Sequence, residues 1–233
     1  MKLLDHFHPP LSQRRHWHAF HNAWATYLAA GLNRILPEGW FAEPNVQFGI
    51  EVDMSAWSSV EARETPFAAE WQPPIPTQTV TLPLLTDRAE ILVYQTEGGP
   101  VLAGAIDLVS PANKDRGQTR GAFVSKCRTY LQENIGVVVV DIDSSSPANL
   151  HAELLESLGQ PDVKSADPIY AVAYRPVGDQ TDGSLEIWYQ KLDLEEDLRT
   201  VPLWLYGEKA LPLDLSGSYA ETCRAQRIEH ASG

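Results

Sequence analysis

The run Gly136-Val-Val-Val-Val-Asp141 constrains the fold more than any other stretch of the chain. Four consecutive β-branched residues favour a strand, and a strand with no polar face needs packed layers on both of its sides. Sheets covered on both sides are the α/β arrangement. Helices to supply those layers are legible on either side of the run. Trp17, Phe20, Trp24, Leu28, Gly31 or Leu32 and Ile35 recur at helical spacing, which predicts an amphipathic helix over 12–36, with Ser12 as its cap and Pro37 as its stop. A second helix is predicted over 118–134, burying Phe123, Cys127, Tyr130 and Leu131 on one face.

Between these helices the period changes to two. Over 46–53, Val46, Phe48, Ile50 and Val52 form one face and Gln47, Gly49, Glu51 and Asp53 the other, the pattern of a half-buried strand. Two more strands are predicted over 89–96 and 100–109, joined at Gly98-Gly99, where glycine supplies the backbone angles of a two-residue hairpin turn. The order is then helix, three strands, helix, strand. A helix over 149–158, strands over 169–175 and 185–191, an apolar piece over 201–206 and a helix from Ser216 extend it towards the C-terminus. Residues 61–76 carry four prolines and form an irregular excursion within a single domain spanning 1–233.

Charge narrows the functional classes. With 18 basic and 31 acidic residues the net charge is -13, which excludes broad nonspecific adhesion to nucleic acid. Residues 114–128 reverse the sign locally, with five basic side chains and one acidic. That island is either a solvated helix face or an anion-facing wall, on which Ser110, Asn113, Lys114, Arg116 and Arg120 would receive substrate phosphates. No apolar run is long enough for a membrane span and the opening MKLLDHFHPP is too polar for a signal-peptide core, so the expectation is a cytoplasmic protein. Cys127 and Cys223 are too few and too far apart for a disulfide framework or a structural zinc site, and are expected as reduced thiols. Seven tryptophans leave apolar surface for a homodimer.

The hairpin register makes a chemical statement. A two-residue turn at Gly98-Gly99 sets Glu90 directly across from Asp107, and facing carboxylates destabilise a strand pair unless a proton or a cation lies between them. A hard divalent ion is one remedy, and Asp53, on the polar face beside Glu51, is a third acid within reach of the pair. Lys126 lies one position from the buried stripe of its helix and can lean towards the sheet, where it would neutralise charge and position a water. The histidines carry less. His16 and His18 cannot share a helix face, His21 falls within the apolar stripe as a hydrogen-bonded core residue, and His6 and His8 alternate on an extended segment with no further support.

The runs Ala105-Ile-Asp-Leu-Val-Ser-Pro-Ala-Asn-Lys-Asp-Arg-Gly117, Lys126-Cys-Arg-Thr-Tyr130 and Gly136-Val-Val-Val-Val-Asp141 resemble a large bacterial family, well represented in cyanobacteria and planctomycetes and known as a domain of unknown function. Asp5-His-Phe-His-Pro-Pro10, Phe20-His21 and Glu51-Val-Asp53 extend the resemblance over nearly the whole chain. The central motif is similar to that of restriction-endonuclease-like proteins of the PD-(D/E)xK superfamily. The resemblance implies a restriction-endonuclease-like mixed central sheet flanked by helices. It also implies an Mg²⁺- or Mn²⁺-dependent phosphodiester hydrolase acting on nucleic acid. Asp107 takes the place of the superfamily's third-strand acid, usually Glu, and Lys126 that of a lysine relocated to the helix. Asp53, or alternatively Asp87 or Glu90, takes the preceding acid. Val109 stands where the motif lysine would be, a departure that leaves a noncatalytic binding or scaffold protein as the rival reading.

Overall fold

The computed structural model describes residues 1–47, 50–58, 72–81, 101–161, 167–178, 183–206 and 208–228. They form a mixed α/β fold with a mixed central sheet flanked by helices. The chain opens with α1 (Trp17–Asn33), β1 (Trp40–Gln47) and β2 (Ile50–Ser58), followed by β3 (Gln78–Thr81) and β4 (Val101–Leu108). Two consecutive helices, α2 (Pro111–Asp115) and α3 (Gly117–Gln132), lead to β5 (Gly136–Asp141) and α4 (Leu150–Ser157). The remainder is β6 (Tyr170–Val177), β7 (Ser184–Lys191), β8 (Val201–Leu205), β9 (Lys209–Leu213) and α5 (Leu215–Ala225). Among the described residues seven strands make the main sheet in the order β1-β2-β4-β5-β6-β7-β3, and β8 and β9 pair separately. Among the described residues only the β4–β5 pair is parallel, with α2 and α3 in its crossover.

All six residues of β5 are buried, and alternation divides its valines between two cores. Val138 and Val140 join α1, α5 and the β8–β9 hairpin on one side of the sheet, whereas Val137 and Val139 join Phe123, Cys127, Leu131, Leu154 and Leu155 from α3 and α4 on the other. The demand of that apolar run for two covering layers is thereby met. Gly104 and Gly136 are register partners where β8 crosses the sheet. A Cβ on Gly136 would sit 2.2 Å from the Trp204 carbonyl oxygen, so only glycine permits this approach.

Helix α1 carries the expected stripe, with Phe20, His21, Trp24, Leu28 and Leu32 buried. It begins later than its pattern predicts: His16 is the N-cap and residues 11–14 are turns, so Ser12 caps nothing. At its other end Asn33 Nδ2 donates to the Ala42 carbonyl and Asn33 Oδ1 accepts from the Ala42 N–H, both at 2.8 Å, which ties the helix end to β1. Asn33→Ala is expected to cost about 1–2 kcal/mol, two net backbone–side-chain bonds, measured as a lower urea midpoint with an unchanged slope.

Several strand boundaries differ from the sequence reading. The alternation over 46–53 spans two antiparallel strands, with Gln47 the register partner of Ile50. Register partners share a sheet face, so an alternation that sets Gln47 and Ile50 on opposite faces does not run through as one strand. The strand predicted over 89–96 and its turn at Gly98-Gly99 lie outside the described residues, as do 61–71 of the proline-rich excursion. Residues 72–76 lead into β3 alongside β7, where Trp188 Nε1 donates to the Pro74 carbonyl at 2.7 Å. Helix α2 and strand β9 are additions to the expected elements. No helix among the described residues is long and apolar enough to cross a membrane.

Candidate active site

Asp107 lies one residue from the end of β4, an interior strand held between β2 and β5. Its neighbours Ile106 and Leu108 belong to the core shared with α1, and alternation turns Asp107 towards α3. Helix α3 presents Phe123, Val124, Cys127 and Leu131 to the sheet, and the adjacent Lys126 reaches along that buried stripe. Its Nζ donates to Asp107 Oδ1 at 2.7 Å, while the thiol of Cys127 lies 3.7 Å from Oδ2. The Asp107 side chain is 3% exposed and that of Lys126 24%, so an ammonium with access to solvent compensates a carboxylate that has almost none. The lean of Lys126 towards the sheet is therefore as its helix position predicted.

The carboxylate opposite Asp107 is not the one expected. In the antiparallel β2–β4 pair Asp53 is the register partner of Asp107, and on the other side β5 places Val139 beside it. Both edges of β4 are thus occupied at Asp107. Glu90 and Asp87 themselves lie outside the described residues. Among the described residues no three His, Cys, Asp or Glu side chains converge as a metal site.

The basic island divides. Ser110 and Asn113 are buried and form the capping box of α2: the Ser110 N–H donates to Asn113 Oδ1 at 2.9 Å and Ser110 Oγ accepts from the Ala112 N–H. Lys114 points inward, with a side-chain exposure of 0% and its Nζ 3.0 Å from Asp141 Oδ2. It offers no charge to a phosphate outside, which corrects the expectation for this residue. Arg120 pairs with Glu153 at 2.6 Å, and Arg116 stands exposed beside Asp115. Arg116 and Lys126 are the predicted basic contacts with most access to solvent or to the Asp107 carboxylate.

A second charged cluster escaped the sequence reading. Asp141 ends β5 with its carboxylate on the Lys114 ammonium, and Asp143 lies two residues on, both 0% exposed. Lys114 also donates to the Asp143 carbonyl at 3.1 Å, and Asp143 Oδ2 finds no hydrogen-bond donor among the described residues. Burial pushes the Asp141 carboxyl up to about 7 against the attraction of Lys114. An acid ending an all-apolar strand was the available signal, since such a position is buried by the same layers that cover the valines.

His21 and His6 serve packing. His21 is 2% exposed and its Nε2 donates to the Leu108 carbonyl at 2.8 Å, the hydrogen-bonded core role expected of it, with burial lowering its basicity. His6 is sealed among Trp17, Phe20 and Tyr219, 2.8 Å from the Tyr219 hydroxyl. His8 Nδ1 meets Asp5 Oδ2 at 2.8 Å and Ser144 Oγ at 3.3 Å. Because Nδ1 faces both partners, the ring cannot take the serine proton on one nitrogen while the acid holds the other, as a catalytic triad requires. Both cysteines are buried and neither is in a disulfide. Comparison with family models, curated proteins and solved structures finds no match for the chain.

Proposed function

We propose that this chain is a divalent-metal-dependent phosphodiester hydrolase of the restriction-endonuclease-like PD-(D/E)xK type, acting on nucleic acid with Mg²⁺ or Mn²⁺. The observation that supports it is the buried Asp107 carboxylate bearing Lys126 at 2.7 Å, with Asp53 directly across in register. The strands that carry these residues pair antiparallel from β1 to β2 and from β2 to β4, then parallel from β4 to β5, with α3 in the crossover. The expectation for the superfamily's core was helix, three strands, helix, strand; the described chain runs helix, four strands, two helices, strand, with β1, β2, β4 and β5 side by side.

The donor chemistry suits a hard cation: carboxylate oxygens are its natural ligands, and Asp107 sits where an anion has to be compensated. Asp107 and Asp53 would hold the ion, which when bound would polarise a phosphoryl oxygen and lower the pKa of a water. Lys126 would then neutralise charge developing on the phosphate and orient the attacking water, and the exposed Arg116 would meet the flanking backbone.

The test is cleavage of plasmid DNA and of single-stranded RNA in Mg²⁺ or Mn²⁺, with chelator as control. Slow metal-dependent cleavage is expected from the wild type, with Asp107→Asn reduced to background while its circular dichroism is unchanged. The rival, a noncatalytic binding or scaffold protein, is favoured by Val109, which is 1% exposed and leaves the usual lysine position apolar. Absence of both metal-dependent cleavage and metal-induced thermal stabilisation would select it.

A further inference from the structure

We infer that the start of α1 and the end of α5 form a phosphate-binding face, on which Arg14, Arg15, Arg224 and Arg227 receive the backbone of a nucleic acid; this rests on the phosphodiesterase reading above. The four arginines are exposed, in a chain whose net charge is -13. Among the described residues none of their guanidinium groups pairs with a carboxylate. The acids near them in sequence are engaged elsewhere: Asp5 with His8 and Ser144, and Glu221 with Arg34 at 3.7 Å. The first turn of α1 adds no acid, and His16 and His18 stand exposed there. Arg15 Nη2 donates to the Arg227 carbonyl at 3.4 Å, which brings the two segments together. Arginine is suited to phosphate because its planar fork meets two oxygens at once. The acidic remainder of the chain repels a polyanion and so orients it towards this face.

The face adjoins the end of β4 that carries Asp107. The His21 ring reaches the Leu108 carbonyl at 2.8 Å, one residue past Asp107, and the exposed His18 lies one turn nearer the start of α1. Ser144 Oγ donates to Asp5 Oδ1 at 2.8 Å, so the segment leading to Arg14 and Arg15 is tied to the loop after β5. The carboxyl ends of β4 and β5 are where an α/β sheet takes its ligands. Arg227 adds an independent observation. Helix α5 ends in a Schellman motif, the Ile228 N–H donating to the Cys223 carbonyl at 2.8 Å and the Arg227 N–H to that of Arg224 at 3.1 Å. Arg227 is the residue turned to a φ of 52°, a conformation glycine adopts with less strain. A long cationic side chain at such a position points to a contact outside the fold.

The experiment is fluorescence anisotropy of a short labelled DNA duplex with the whole chain in chelator, over a series of salt concentrations, so that binding is read without cleavage. Arg14→Gln with Arg15→Gln, and Arg224→Gln with Arg227→Gln, are each expected to weaken binding roughly tenfold at low salt. Each pair should also lower the slope of log K against log salt by about 1.8, two phosphate contacts at about 0.9 apiece. Lys209→Glu changes the charge by the same two units beside the amino end of β5, and is expected to bind as wild type does. Arg227→Gly should weaken binding yet raise the urea midpoint, a split that an arginine without a ligand would not give. Wild-type binding that the arginine variants leave unchanged, or that Lys209→Glu weakens equally, overturns the face. Absence of duplex binding by the wild type overturns it too, as does equal displacement of the duplex by polyglutamate of matched charge, the mark of a site for acidic protein. The hydrolase reading is decided separately, by metal-dependent cleavage and its loss in Asp107→Asn.

Discussion

Replacing Lys114 by Met is expected to destabilise the protein by about 3–5 kcal/mol at pH 7.5, the cost of removing one partner from a buried ion pair. Lys114 Nζ lies 3.0 and 3.2 Å from the two oxygens of Asp141 and donates to the Asp143 carbonyl, with no exposed surface on either side chain of the pair. Met fills much of the same volume, so the loss is electrostatic: Asp141 remains buried without its cation and the Asp143 carbonyl loses a donor. Against a typical stability of roughly 5–15 kcal/mol this is a large fraction, to be read from urea unfolding. The effect has a predicted pH dependence. The folded Asp141 carboxyl, raised from 3.8 to about 7, keeps a proton that the unfolded chain has already released, so its burial costs progressively more as pH rises through that window. Without the attraction of Lys114 its affinity for the proton rises further. The defect of Lys114→Met should therefore shrink at pH 5, and adding Asp141→Asn, which keeps an acceptor for the Asp143 N–H, should restore much of the loss at pH 7.5. A loss below about 1 kcal/mol at pH 7.5 would show that the pair is solvated.

Acid is expected to weaken the fold between about pH 6.5 and 4 through two buried histidines. His6 and His151 are 4% and 1% exposed, and burial lowers each from 6.5 to about 4. Within that interval the unfolded chain takes up protons that the folded chain refuses, so stability falls as pH falls, by about 1.4 kcal/mol per pH unit for each histidine. Summed across the window the two amount to roughly 7 kcal/mol as an upper figure. Each ring loses a specific place: His6 beside the Tyr219 hydroxyl, and His151 Nδ1 at 2.6 Å from the Tyr174 hydroxyl. Asp141 acts in the opposite direction over most of the same range, since its folded form gains the proton first. The wild-type slope is thus smaller than the two-histidine sum, and Asp141→Asn should steepen it. Replacement of His151 by Gln should flatten it by about 1.4 kcal/mol per unit. Urea unfolding at half-unit steps from pH 4.5 to 7.5 measures all three slopes, and an unchanged slope in the His151 variant would refute the assignment.

Much of the architecture was legible because each element repeats its own period. The stripe from Phe20 through Leu28 located α1 and the burial of His21, and Phe123, Cys127 and Leu131 located the face of α3 from which Lys126 reaches Asp107. These are local patterns, decided within a few turns of chain. The partner of Asp107 was not legible in this way. Strand neighbours come from distant parts of the sequence, and the local rule of a glycine turn pointed to Glu90, whereas β2 brings Asp53 across from more than fifty positions earlier.

What the sequence by itself determined is the layering. Four valines in a row require two covers, and the amphipathic helices on either side of the run provide them. The tertiary structure alone decided which charges face each other. Lys114 belongs to a basic island that resembles a solvated surface, yet it is buried because Asp141, 27 residues away, waits at the end of β5. Ion pairing depends on distance in space, and composition or periodicity along the chain carries no record of it. The same holds for Asp53 and Asp107, whose opposition exists only once β2 and β4 are in register.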